Sequence, residues 1–361
     1  MRKKSLASIE IAAITNELQY LVKGKFSQVY DYGDKELLLQ LHALGKGKQL
    51  LRIIPGKLLN LTDKKESPQR PTGFCMQLRK YLDNASINNF YQKDGERIVV
   101  FELEKENKFF LIIEFFSKGN IVFTDENMVI IGTLHRQIWK DRLIKPGEKY
   151  SFPESKNNWK DIDEKQLTET LKTSEKRNLA TSLATELGFG GIYSEEICKR
   201  ANINKDQLPA EVSAEDIKKI VTEIKVIIKL IETPKGYFYE EEITPFPLLN
   251  VESIKVTETY NEAVNTLNPL EVSSPYEKRI AEIKKMIAQQ EEAIKMQEGK
   301  IEKNKQKGEI IYENYASLQK LLDAVNELKE THEWNEIEAE LKKEKKIKKV
   351  NLKDKTVIID L

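Results

Sequence analysis

At 361 residues the chain has room for two or three domains, each able to bury its own core. Charged residues make up 32% and the aliphatic-aromatic set 40%, a soluble globular composition too rich in Leu, Ile, Val and Phe for a disordered chain. A net charge of +1 does not indicate a uniform polyanion-binding surface. Residues 1–150 nevertheless carry 25 Lys and Arg against 18 Asp and Glu, a surplus of seven. That half is the one expected to touch phosphates, unless the surplus is ordinary surface variation.

Cys75 and Cys198 stand far apart, so no disulfide framework follows; with only His42, His135 and His332 beside them, a four-ligand zinc ribbon is excluded. The start, Met1 to Ser5, is charged and lacks the apolar run and cleavage site of a signal peptide. No stretch approaches the roughly 20 apolar residues of a membrane span. A reducing cytoplasm is the expected home, with no membrane partner.

Ile9, Ile11, Ala12, Ala13, Leu18, Leu21 and Val22 recur at helical spacing, with Ser8 as N-cap, Glu10 in the first turn and Gly24 at the end. Strands follow over 26–32 and 36–41 around Gly33-Asp34, then over 50–54, stopping at Pro55-Gly56. A polar loop, 62–73, precedes a short amphipathic helix over 74–82. Strands are predicted over 97–103, 108–116 and 120–123, and one more over 128–132. The expected fold class is α+β, with a mostly antiparallel first domain over 1–155.

From about 161 the period turns helical. A helix from Ser174 or Lys176 runs into Leu187-Gly188-Phe189-Gly190-Gly191, and Ser194 caps the next, which reads as a helix-hairpin-helix unit within a helical domain over 161–270. A second helix pair, divided near Val212-Ser213, precedes a Pro- and Tyr-rich connector over 233–250 and a small helix over 258–267. Over 275–361, Ile280, Ile287, Ile294 and Ile301 repeat every seven residues, a heptad seam with polar d positions at Gln290, Gln297 and Asn304. Gly308 interrupts it, and Ile311, Tyr315, Leu318, Leu322 and Val325 begin a second seam. The pair reads as one kinked helix or, more simply, an antiparallel hairpin. Residues 355–361 form a terminal strand with no partner in sight.

Several segments carry binding chemistry. Arg79 and Lys80 leave the apolar face of the helix over 74–82 and can meet phosphate, or stand as a solvated pair. Glu96-Arg97 at a strand start offers a carboxylate and a guanidinium fork on opposite faces, suited to a base edge and phosphate or to a hairpin-end ion pair. Arg136, Lys140, Arg142, Lys145 and Lys149 surround Trp139, a composition that suits single-stranded nucleic acid and equally a solvated connector. Gly188, Gly190 and Gly191 let backbone amides approach a phosphate, or serve packing alone. No serine-hydrolase elbow, phosphate loop or zinc-protease motif occurs, so neither catalytic residues nor a metal or cofactor is expected.

The helix over 6–18, the segments Phe74 to Leu82, Gly119-Asn120-Ile121-Val122, Lys145 to Tyr150 and Gly308 to Tyr315 together resemble the NFACT family, which includes bacterial RqcH and the nuclear export mediator factor, with archaeal members most alike. The resemblance runs through the whole chain in order. It implies an NFACT-N domain like the glycosylase N-domain, a helix-hairpin-helix domain and a middle coiled coil, with the C-terminal NFACT-R domain missing, so that the chain is an N-terminal fragment. It further implies ribosome quality control: binding of tRNA, chiefly alanyl-tRNA, to large ribosomal subunits obstructed by peptidyl-tRNA, with contacts to ribosomal RNA, so that the ribosome adds an untemplated alanine-type tail. Self-association through the coiled coil or the NFACT-N domain is left open. The family's Asp-Arg pair for tRNA recruitment falls on Glu96 and Arg97, and its first-helix acid on Glu10; both aspartates are glutamate here, which puts tailing in doubt more than tRNA binding. A glycosylase-like enzyme is the alternative, against which stand Arg2-Lys3 in place of an N-terminal Pro and the absence of zinc-finger cysteines. A surface adhesin, the label of some bacterial relatives, is a third reading, opposed by the lack of a secretion signal.

Overall fold

The computed structural model describes residues 5–33, 35–65, 70–139, 142–154, 157–268, 275–331, 334–341, 347–351 and 356–359. Arg2, Lys3, Asp34, Lys140, His332 and Lys355, named above, lie outside the described residues. The chain forms two compact units, 1–271 and 272–361.

The first unit opens with α1 (Ser8–Glu17) and a 3-10 turn, Gln19–Leu21. The predicted cap shifts by one. Ala7 is the N-cap, its N–H donates to Glu10 Oε2 at 2.7 Å, and Ser8 enters the helix. Nor is Gly24 a helix stop: a Cβ there would sit 2.6 Å from the His42 carbonyl, so glycine serves close backbone approach.

The strands β1 (Lys25–Asp31), β2 (Leu37–Ala43), β3 (Gly47–Ile54) and β4 (Leu58–Leu61) form a meander. Helix α2 (Gly73–Leu82) crosses to a second meander, β5 (Ser86–Gln92), β6 (Ile98–Glu104), β7 (Lys108–Glu114), β8 (Asn120–Asp125) and β9 (Ile130–Thr133). The two halves join into one antiparallel nine-stranded sheet, ordered β4-β3-β2-β1-β5-β6-β7-β8-β9. They meet along a short seam where Lys25 pairs with Ser86. Strands β6, β7 and β8 read as continuous apolar runs because both faces are covered. Val99, Phe101, Leu111, Ile113, Ile121 and Phe123 face the main core with α1 and the helices beyond. Ile98, Val100, Ile112 and Val122 face a smaller core closed by Ile144 and Tyr150. Burying each such side chain contributes about 1.5–3 kcal/mol.

A small hairpin follows, β10 (Gln137–Ile138) and β11 (Leu143–Ile144). Then come α3 (Glu164–Lys172), α4 (Leu179–Glu186), α5 (Gly191–Arg200) and α6 (Ala214–Leu230). The α5 N-cap is Gly190, with Ser194 inside the helix, and the second pair, divided at Val212-Ser213 as expected, is a 3-10 turn, Pro209–Glu211, followed by one helix capped by Ser213. The three-stranded sheet of β12 (Gly236–Phe238), β13 (Ile243–Thr244) and β14 (Lys255–Thr257) precedes α7 (Tyr260–Asn265). Asn261 and Asn265 tie α7 to β4 through the Leu61 N–H and Asn60, and Asn261 N–H reaches Glu17 at 3.0 Å. These bonds and the shared core fuse the helical region with the sheet.

In the second unit, α8 (Pro275–Glu313) runs unbroken through Gly308. Asn314 alone separates it from α9 (Tyr315–Thr331), and Asn314 N–H to Ile310 and Leu318 N–H to Asn314 carry the helical bonding across. The expected reversal at Gly308 therefore does not occur, because a lone glycine costs a helix only about 1 kcal/mol. Helix α10 (Trp334–Leu341) buries Ile337 and Leu341 against Val325 and Leu328. The terminal strand, β16 (Thr356–Ile359), does have a partner, the antiparallel β15 (Ile347–Asn351).

Candidate nucleic-acid interface

Three segments far apart in sequence converge at the N-terminus of α1: the β5–β6 turn, the glycine turn between α4 and α5, and Trp159. Ser8 holds the first of them. Its hydroxyl meets the Gly95 carbonyl and accepts from Trp159 Nε1 at 2.8 Å, and the same indole donates to Gly95 O at 2.9 Å. Gln92 Nε2 donates to the Ser8 carbonyl at 2.9 Å and the Glu96 carbonyl at 2.8 Å. Gly95 stands at φ +69°, with space for no Cβ beside the Trp159 indole. Strand β6 begins at Ile98, so Glu96 and Arg97 belong to this fixed turn rather than to the strand. Both are half-buried.

Glu10 is fully buried. Besides the Ala7 amide, its carboxylate accepts the hydroxyl of Tyr193, itself fully buried in α5. Burial and the Glu10 charge raise the Tyr193 phenol well above its ordinary pKa, and Tyr260 shares that environment. Burial pulls the Arg97 guanidinium below its ordinary pKa, opposed by the charge of Glu10. Arg97 Nε is buried without a hydrogen-bond partner among the described residues. Lys160, next to the indole, is lowered to about 8 by burial, against the pull of Asp161 and Asp94.

The glycine turn docks on the same helix end. Gly188 and Gly190 have φ +72° and +80°, and a Cβ on Gly190 would lie 3.8 Å from Ala7 Cβ. Phe189 is buried against Trp159 with ring centroids 5.3 Å apart. Around Gly188 and Gly191 a Cβ would meet open space, so their outer side is free to approach. Glu10, Glu96, Arg97 and the three glycines thus form one locus. The positive ends of α1 and α5 meet there.

Arg79 and Lys80 belong to another locus. Arg79 Nε donates to the Val29 carbonyl at 2.7 Å, fastening α2 to β1, whereas Lys80 is exposed. Both line a cleft with Phe26, Ser27, Met76 and Asp83. Among the described residues no group of three or more His, Cys, Asp or Glu could hold a metal ion. No helix of the described residues is long and apolar enough to cross a membrane.

Sequence reasoning read Ser8 only as a cap and did not find Gln92, Trp159 and Tyr193, whose bonds to Ser8 and Glu10 each span over 80 residues. Only Asp94-Gly95 carried a local signal, as a turn dipeptide.

The chain matches the family described as NFACT N-terminal and middle domains over residues 8–358. It is 29% identical over 95% of its length to the archaeal Rqc2 homolog aRqcH of Methanocaldococcus jannaschii, covering 55% of that protein. To the Rqc2 homolog RqcH of Bacillus subtilis it is 26% identical over 64% of its length, covering 44% of that protein. The chain therefore spans about half the length of these curated relatives. Its fold is similar to the N-terminal part of the fibronectin/fibrinogen-binding protein of Streptococcus suis, with a TM-score of 0.59 and 20% identity over 72% of this chain and 98% of that one. The ordered motifs, the sheet they pin together and the match along nearly the whole chain place this protein in the NFACT family.

Proposed function

We propose that the chain is the tRNA- and ribosome-binding part of a ribosome quality-control factor. It would hold tRNA, with alanyl-tRNA the favoured form, on large ribosomal subunits obstructed by peptidyl-tRNA, in support of untemplated C-terminal tailing in the cytoplasm. The names of its relatives support the ribosomal setting. The observation that carries the tRNA contact is Arg97: a half-buried guanidinium on a fixed turn, beside two helix N-termini, with its Nε unpaired. Glu10 acts from beneath, by positioning α1 and the charge of Arg97, and Glu96 flanks the contact. Gly188, Gly190 and Gly191 bring amides toward RNA backbone, including ribosomal RNA, and Arg79 and Lys80 form an outlying phosphate contact. On this reading residues 1–155, 161–270 and 275–361 divide the work of tRNA holding, backbone bracing and subunit contact. Peptidyl transfer is ribosomal, and the chain's own side chains perform no chemistry.

A gel-shift titration of tRNA with wild type and Arg97→Ala at matched salt tests the contact. Loss of one charge-assisted pair predicts about a tenfold weaker complex. Equal affinity in both would remove Arg97 from the interface.

A further inference from the structure

The hairpin β10–β11 is anchored through one strand and leaves apolar side chains bare on the other. On the β11 side Arg142, opposite Trp139, pairs with Glu114 at 2.5 Å and lies 5.1 Å over the Tyr150 ring, while Ile144 is buried in the smaller core. Asn120 fastens the chain entering the hairpin, giving a 2.9 Å bond to the His135 carbonyl and accepting from the His135 N–H at 3.1 Å. The hairpin closes through Trp139 N–H to the Arg142 carbonyl at 2.8 Å. On the β10 side Ile138 is 86% and Trp139 46% exposed, and no other Trp or Phe among the described residues is exposed to this degree. The indole is oriented, since Nε1 donates to Gln137 Oε1 at 3.3 Å. The flanking Arg136, Lys145 and Lys149 are at least partly exposed; Lys145 also reaches Glu148 at 3.4 Å.

We propose that this exposed side of the hairpin is a stacking site for an unpaired RNA base, with Trp139 and Ile138 covering the base and Arg136, Lys145 and Lys149 meeting the adjoining phosphates. The inference rests on the reading that the chain binds RNA, and adds a contact separate from Arg97. Ile144 packs with Ile98 and Ile112, on the sheet face opposite the core that holds α1. An oriented aromatic with exposed cations before β10 and after β11 fits a base between phosphates: the ring face recognises any base, and the cations recognise the backbone. A duplex offers no free base face.

The test is anisotropy titration of the full chain with an unstructured, fluorescein-labelled RNA of roughly 12 nucleotides, and with its duplex, at matched salt. Trp139→Ala should weaken the single-strand complex about tenfold, Trp139→Phe much less, and neither should alter duplex binding. The salt slope should stay unchanged in Trp139→Ala and fall by about one in Lys149→Ala. Quenching of indole emission by the RNA should shrink in Trp139→Phe, a readout that a mere loss of folding would not mimic at an unchanged melting temperature. Wild-type single-strand affinity in Trp139→Ala, equal losses on single strand and duplex, or no single-strand binding by wild type would each overturn the stacking site. If Arg97→Ala loses tRNA while Trp139→Ala loses nothing, the stacking site falls and the tRNA contact at Arg97 stands. If Trp139→Ala loses the single strand while Arg97→Ala keeps tRNA, the stacking site stands and the Arg97 contact falls.

Discussion

Gly95 shows how much of the candidate interface hangs on single atoms. Its positive φ and the indole of Trp159, 2.7 Å from where a Cβ would sit, leave no room for a side chain. Gly95→Ala should cost about 2–4 kcal/mol, from left-handed strain and the displaced indole. Thermal melting would read the loss, and tRNA affinity should fall with it because Glu96 and Arg97 ride on the same turn. Lys160 gives a pH-dependent counterpart. Its folded pKa of about 8 lies below that of an ordinary lysine, so the folded state resists protonation. The cost is fully present below about pH 8 and fades as pH rises toward the unfolded value of about 10.5, because the unfolded chain binds the extra proton there. Lys160→Met should therefore be more stable than wild type at pH 7, by roughly 1–3 kcal/mol, with the difference closing by about pH 10.5. A gap that widens with pH would refute the assignment.

At the scale of elements, caps explain both what the sequence made visible and what it hid. Ser213 accepts from the Asp216 N–H at 3.1 Å and starts α6 where a Ser-Ala-Glu-Asp run announces it. Ser213→Ala should cost about 1 kcal/mol, seen as a lower denaturant midpoint with an unchanged slope. The central strands were legible because their apolar runs exceed what one buried face needs, whereas β4 and β5 were missed. Leu58 to Leu61 follows the Pro55-Gly56 turn after only one residue, and the middle of β5, Asn88-Asn89, is polar because the strand bulges there. Glu10 was legible as a helix-start acid, but not its burial, which Tyr193 compensates from across the fold. Gly119 was legible as a motif residue only. The structure gives it a reason, since a Cβ would fall 2.0 Å from the Gly56 nitrogen. Long-range pairings of this sort leave no local periodicity to read.

At the scale of the molecule, the second unit presents a stripe that its own core does not use. Ile287, Ile294 and Ile301 on α8 are 47%, 58% and 66% exposed, at heptad spacing. If this stripe engages the large ribosomal subunit, Ile287→Asp should reduce co-sedimentation with subunits about tenfold and leave tRNA binding by the first unit unchanged, as expected for a lost hydrophobic anchor of some 1–2 kcal/mol. A parallel fall in both activities would instead mean that α8 supports the fold.

The narrow junction between the two meanders has a mechanical meaning. Lys23, Gly24, Phe26 and Asn84 to Ile87 supply its backbone bonds, so the nine strands form two leaves that share only a short spine of strand pairing. Helix α2 is the brace across that spine: Arg79 grips β1 at Val29, and Gln77 grips β9 at Ile131 with a 2.9 Å bond. Cutting one strut with Gln77→Ala should leave global melting nearly unchanged while quickening amide exchange at Gly24, Phe26 and Ile87. The Gly56 N–H bond to the Glu114 carbonyl at 3.2 Å ties the leaves at a second place, so the loosening would stay local to the β1–β5 edge, and the stiffness of α2 sets how much of it reaches the leaf that carries Arg97.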